Sequence, residues 1–275
     1  MSAAPSRARR LDAALASLGR AEPPQTIARQ GGLDERLVRA VVAAAPSDAR
    51  AVLTPLLDTD HAVKLHAARL NSALLWPAAT MAMVLVTSLV VGVLSAPTFA
   101  LMPRGAGLSR AATLLPTLVA LGGLAVLFLA TRRRWSLGFV SAWRSLDAWA
   151  FSSAAVALGK SGVALPAAVR AAAEVCDPAS RSAALALARE LEAGAPSSMV
   201  AAPLLGPLTS SLLGVTAPAG AGLTTLEAFA ALRASTLPAE VRRDAARLAV
   251  AGLLLAALAL LATAAAFYTA YLGTL

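Results

Sequence analysis

The chain has little that does chemistry. Its 275 residues include one cysteine, Cys176, which excludes an intrachain disulfide and a thiolate metal cluster. They include two histidines, His61 and His66. These lie about one and a half helical turns apart with no carboxylate pattern around them, and read as a solvated helix surface and not a zinc site. Charged residues are 14%, where a soluble domain carries about 25%. Aromatics are 4%, and the basic residues are not interleaved with them, so the net charge of +9 does not read as nucleic-acid binding. No stretch alternates apolar and polar residues over a length that would make a strand.

What the chain does have is apolar residues: 58% of it, with a mean hydropathy of +0.69. That is the composition of a membrane protein. No charged residue falls between Leu70 and Pro103, between Ala112 and Ala130, or between Leu248 and Leu275. About 20 apolar residues span a bilayer, so three spans are expected, at 73–94, 112–131 and 248–271. The basic N-terminus MSAAPSRARR is not followed at once by an apolar core, and no cleaved signal is expected.

A short repeat ties the spans together. Val63–Leu75 reads VKLHAARLNSALL, and Val241–Leu253 reads VRRDAARLAVAGL, 178 residues later. Val63/Val241, Ala67/Ala245, Ala68/Ala246, Arg69/Arg247, Leu70/Leu248 and Ala73/Ala251 fall in register. Each copy is a basic helical stretch running without a break into an apolar one. The expectation is two related units, each a water-side helical module feeding a membrane helix.

Along the chain, Asp12–Leu18 reads as a short helix ended by Gly19, and Gln25–Arg29 as a turn or two of helix. Asp34 reads as a cap for a helix whose apolar stripe is Leu37, Val38, Val41 and Val42. Pro46-Ser47-Asp48 reads as a turn and a new cap, with Asp58-Thr59-Asp60 interrupting the helix that follows or capping the next. Residues 95–111 read as a loop. The middle region carries a stripe Leu146, Trp149, Ala150, Ser153 and Leu158, then helices at 167–175 and 183–191, with Asp177 a candidate cap. Leu204–Val215 is an apolar run among Pro, Gly, Ser and Thr. Thr224-Thr225 reads as a cap, and Pro238 as an interruption before the second copy.

Charge sets an expected topology. Of the 24 Lys and Arg, ten lie in residues 1–72, two in the loop after the first span, twelve in 131–247 and none after the third span. Basic residues collect on the cytoplasmic side, so the N-terminus and the middle region are expected in the cytoplasm and the C-terminus in the periplasm.

Several segments, in order, resemble the family of type II secretion F and type IV pilus inner-membrane platform proteins. Ser72-Ala73-Leu74-Leu75-Trp76-Pro77 is similar to the segment with which the family begins its first span, and Ala96-Pro97-Thr98-Phe99 to the segment that closes it. Ala150–Pro166 resembles the signature helix and turn, a Phe-containing helix ending in a small-residue-Gly-Val-x-Leu turn. Ala167–Val175 continues it, and Arg189–Gly194 resembles the close of the third helix. Two departures stand out. The first bundle is shortened to residues 1–72, and Thr216–Gly222 replaces the family's Gly-Glu-x-Ser-Gly turn without its acid, so no contact through that carboxylate is carried over.

The resemblance implies an all-α integral membrane protein with three transmembrane helices, a cytoplasmic antiparallel helical-bundle domain at 132–247 and a truncated N-terminal helical repeat at 1–72. The tail 272–275 would be periplasmic. It implies a non-enzymatic inner-membrane scaffold, without cofactor or metal, that couples a cytoplasmic assembly ATPase to insertion or extraction of a pilin or pseudopilin. Other inner-membrane assembly proteins would be partners. A tight-adherence pilus platform is the alternative, and a small transporter or permease subunit a further one. The apolar parts of the spans carry no ionisable residue, which argues against an ion path.

Candidate site residues are cationic. Arg132, Arg133 and Arg134 after the second span, and Arg242, Arg243 and Arg247 before the third, read as lipid-headgroup anchors or as contacts for an acidic partner such as the ATPase. Small residues along Ala249–Ala266 favour close helix contact, hence a homodimer or a pilin contact. Gly159-Lys160-Ser161 matches the end of a phosphate-binding loop, but Ala154 stands where its first glycine belongs and the context is helical, so helix-turn chemistry is the better account.

Overall fold

The computed structural model describes residues 7–31, 34–100, 118, 121–123, 125, 141–194, 202–218 and 220–272. Every element among them is helical. In order they are α1 (Arg7–Gly19), α2 (Pro24–Gly31), α3 (Glu35–Ala44), α4 (Ala49–Ala100), α5 (Ala142–Lys160), α6 (Leu165–Ala172), a 3-10 turn (Ala173–Val175), α7 (Pro178–Glu192), α8 (Ala202–Leu205), α9 (Pro207–Thr216) and α10 (Gly222–Leu272). They divide into two compact units. Met1–Leu65 joins Ala142–Pro238 in one, and His66–Ser141 joins Ala239–Leu275 in the other.

The helix order repeats. A ten-residue helix precedes each long one: α3 precedes α4, of 52 residues, and α9 precedes α10, of 51. Both long helices run through points where the sequence suggests a stop. Asp58-Thr59-Asp60 neither breaks nor caps α4. Thr59 Oγ1 donates to the Pro55 carbonyl at 3.0 Å, and Lys64 pairs with Asp60 one turn away at 2.5 Å, so the polar side chains are satisfied along the helix. The helix continues to Ala100, past Ser95 where a loop is expected. Pro238 lies inside α10 without ending it. Nor do Thr224 and Thr225 cap α10. They sit in its first turn, and both hydroxyls donate to the Ala221 carbonyl, at 2.7 and 3.2 Å.

In the first unit α1 packs on α2, α2 on α3, and α3 on α6 and the 3-10 turn. The helices α5, α6 and α7 pack in sequence, and α8 touches α5, α7 and α9. The N-terminal helices therefore share one core with the middle helices. Ile27, Leu37, Val41 and Leu56 lie in the same buried cluster as Phe151, Leu158, Val169 and Leu187. Burying a side chain of this size contributes about 1.5–3 kcal/mol.

Local chemistry explains the junctions. Asp34 caps α3, accepting the Arg36 amide at 2.9 Å, and Asp48 accepts the amides of Arg50 and Ala51 at the start of α4. Leu37, Val38 and Val41 face the core as the spacing predicts. Val42 does not, being 42% exposed, and Ala40 takes its place. On α5 the inward residues are Leu146, Phe151, Ala154, Ala155 and Leu158, while Trp149, Ala150 and Ser153 are half-buried. An alanine-rich helix buried over much of its circumference carries too little amphipathic contrast to set the face from sequence.

The Gly159-Lys160-Ser161 stretch is the end of α5 and its turn. A Cβ on Gly159 would lie 2.5 Å from Leu223 Cδ1, so the glycine lets the start of α10 approach. Lys160 pairs with Glu227 of α10, and the Ser161 hydroxyl donates to the Leu158 carbonyl at 2.7 Å. Gly162 has φ +88, the left-handed conformation that closes a helix. Every residue of the motif is occupied by helix-turn packing.

Phe151→Ala is expected to cost about 3–5 kcal/mol of stability. Gly162→Ala, forced into left-handed backbone, costs about 1–2 kcal/mol. Lys160→Gln costs about 1 kcal/mol or less, because the pair it breaks is half-exposed. Thermal unfolding of the detergent-solubilised chain checks all three. A loss on Lys160→Gln as large as that on Phe151→Ala contradicts the packing account.

Candidate membrane-insertion interface

Two helices are long and apolar enough to cross a membrane by length and composition: Ala49–Thr87 and Gly222–Ala265 among the described residues. A buried core helix of a soluble protein would pass the same test. Here only 28% and 22% of the most apolar stretch of each is buried. The rest is open: Leu75, Trp76 and Met83 on α4, and Leu254, Leu258 and Leu261 on α10, are all more than half exposed. Soluble monomers rarely expose a contiguous apolar surface of this kind. Of the expected second span, Leu118, Leu121, Gly122, Gly123 and Ala125 are described, and all are helical. A Cβ on Gly123 would collide with Met81 Cε, so this glycine seats the Met81 side chain. The rest of that span, with Arg132, Arg133 and Arg134, lies outside the described residues.

Where the two copies of the repeat, Val63–Leu75 and Val241–Leu253, run into these apolar helices, their burial repeats with their sequence. Comparing 63–76 with 241–254 at the offset of 178, twelve of fourteen positions fall in the same burial class. His66, Leu70 and Leu74 are buried in one copy, and Asp244, Leu248 and Gly252 in the other. Lys64, Leu65, Ala68 and Arg69 are exposed, as are Arg242, Arg243, Ala246 and Arg247. A chance match in alanine-rich sequence has no reason to carry the same inward face.

This register corrects one expectation and adds a residue. His61 is exposed, but His66 is not a surface residue; it is 9% exposed, because it stands four and eight residues before Leu70 and Leu74 on the inward stripe. Its Nδ1 has no hydrogen-bond partner among the described residues. Its counterpart Asp244 is fully buried, a position that composition does not reveal and that only the repeat register points to. Burying a carboxylate is costly unless it is bonded. The Ser141 hydroxyl donates to Asp244 Oδ2 at 3.2 Å, and Arg247 Nη1 reaches Oδ1 at 3.2 Å.

The three arginines expected before the third span thus divide. Arg247 is half-exposed and ties back to Asp244, while the guanidinium groups of Arg242 and Arg243 are exposed and have no carboxylate partner among the described residues. They form a cationic collar about two turns of helix ahead of the first exposed valine, Val250.

Elsewhere the polar groups do structural work. Asp177 stands at the start of α7, but its side chain makes no cap. It takes Arg36 of α3 instead, at 2.6 Å, which fastens the N-terminal helices to the α6–α7 junction. That pairing holds the Arg36 guanidinium above its usual range, chiefly through the hydrogen bond to Asp177. Cys176 lies beside it, 4% exposed. Burial, with Asp147 and Asp177 nearby, pushes its thiol up, which makes it inert and not nucleophilic. Among the described residues no three His, Cys, Asp or Glu come together to hold a metal ion. Comparison with protein-family models, curated proteins and solved structures finds no match.

Since the folded Cys176 keeps its proton to a higher pH than the unfolded thiol, stability is full below the unfolded value of about 8.5 and falls as pH rises above it, by about 1.4 kcal/mol per pH unit. Chemical denaturation in detergent between neutral and alkaline pH measures this, and Cys176→Ala removes that part of the slope. An unchanged slope in the variant contradicts the assignment.

Proposed function

We propose that the chain is a non-enzymatic inner-membrane platform of a type II secretion or type IV pilus-like machine. It carries force between a cytoplasmic assembly ATPase and the pilin or pseudopilin that enters or leaves the bilayer. The observation that carries this reading is the doubled insertion segment. Two stretches of related sequence, each preceded by short helices, turn the same face inward and run unbroken into apolar helices of nearly equal length. A helical segment carries displacement along its own axis, because its hydrogen bonds lie along that axis. The Phe151–Pro166 helix and turn agree with the platform family in residues, and in this chain those residues hold α5 against the start of α10.

The described side chains offer the competing classes little. The one thiol is buried, and no metal cluster is present among them. A transporter reading has no Asp, Glu, Lys, Arg or His to work with between Leu70 and Pro103 or after Leu248. In the proposed topology the middle region is cytoplasmic, three spans cross the membrane, and the C-terminus is periplasmic.

Deleting the gene is expected to abolish pilus assembly or secretion, and the tagged protein to co-purify with an assembly ATPase. An alkaline-phosphatase fusion after Ala193 is expected to be inactive. Normal assembly in a clean deletion removes the proposal, and an active fusion overturns its topology.

A further inference from the structure

The exposed side of each insertion segment changes character at the same register in both copies. On α10 one stripe runs Arg243, Arg247, Val250, Leu254, Leu258, Leu261, at steps of three and four residues, and every member is exposed. At the same register α4 carries Leu65, Arg69, Ser72, Trp76 and Met83, all exposed, with the half-buried Thr80 between the last two. Each stripe is thus cationic at Arg69 or Arg247 and, two turns or about 10 Å along the helix, apolar from Trp76 or Leu254 onward, apart from Thr80, whose hydroxyl donates to the Trp76 carbonyl.

Such a stripe has the dimensions and chemistry of one phospholipid: a headgroup phosphate, then an acyl chain. The cations need an anion. Arg243 and Arg247 are like charges one turn apart on the same face, an arrangement that repels. Arg247 is partly answered by Asp244, but Arg242, Arg243 and, in the other copy, Arg69 have no carboxylate partner among the described residues. A phosphate diester seated between the guanidinium groups relieves that repulsion, and arginine binds phosphate through a bidentate fork. Trp76, 73% exposed beyond Arg69, places an amphipathic ring at the level of the ester groups.

We infer that each of the two insertion segments binds an anionic phospholipid at the same register. The headgroup lies on Arg69 in the first copy and on Arg242, Arg243 and Arg247 in the second, and the acyl chain runs along Trp76–Met83 or Leu254–Leu261. This rests on the reading of both helices as membrane spans and deepens it. The second copy, with three cations, is the tighter site.

The test uses the full chain, solubilised in detergent with an equimolar mixture of phosphatidylglycerol and phosphatidylcholine and repurified, with the retained lipid measured by mass spectrometry. The wild type is expected to hold phosphatidylglycerol several-fold over phosphatidylcholine. The variant carrying Arg69→Gln, Arg242→Gln and Arg243→Gln loses most of that enrichment, while Arg189→Gln, far from the stripes in sequence, keeps it. Equal retention of the two lipids by the wild type, or undiminished enrichment in the triple variant, overturns the sites. Resistance of the same protein to alkaline carbonate extraction from membranes separates the two readings. A carbonate-resistant chain with no lipid preference loses only the lipid sites, whereas a chain that washes off loses the membrane reading as well.

Discussion

The architecture depends on the continuity of two backbones. Inside a bilayer no water satisfies a free amide or carbonyl, so a chain that crosses into it must already be helical where it does so. Here α4 and α10 are helical well before their apolar parts begin, and each passes proline and acidic residues without a break. Nucleating a helix is costly and extending one is not, so for helices long and apolar enough to span a bilayer, a start among folded helices would remove the nucleation step from the apolar phase. The shared core of α1–α3 with α5–α7 is what fixes those first turns.

Alanine makes this arrangement possible and also obscures it. Small side chains let α5 bury much of its circumference and let the α10 start approach Gly159. They leave little contrast between faces, which is why the inward face of α5 is not legible in the sequence while that of α3, with Leu37, Val38 and Val41, largely is. Helix starts governed by a single side chain are legible: Asp34 and Asp48 accept the amides that the sequence leads one to expect. Those decided by tertiary pairing are not. Asp177 has the right position for a cap, yet a guanidinium from 141 residues earlier takes its carboxylate. Asp58–Asp60 and Pro238 read as breaks and are not, because local propensity says nothing of a helix already held at both sides.

The candidate site is legible only in part. Arginines beside apolar runs are visible in any composition profile, and Arg242, Arg243 and Arg247 are exposed as a lipid or partner contact requires. The buried pair of positions, His66 and Asp244, is hidden because an ionisable residue in a basic stretch reads as solvated. Only the repeat register, in which they are equivalent, marks both as inward. One copy satisfies its buried group through Ser141 and Arg247, and the other leaves the His66 Nδ1 without a partner among the described residues. The two insertion segments are therefore related in shape but not in the chemistry of their buried faces.

Their equivalence in shape can be measured directly. In a Cys176→Ala background, single cysteines placed through 63–70 and 241–248, ahead of the apolar parts, and labelled in inside-out vesicles with a membrane-impermeant maleimide give a reactivity profile for each segment. The account predicts two profiles that superimpose at an offset of 178 residues, with protection at 66 and 70 matching protection at 244 and 248. Profiles that fail to superimpose, or protection that falls on the arginine side of α10, would contradict it.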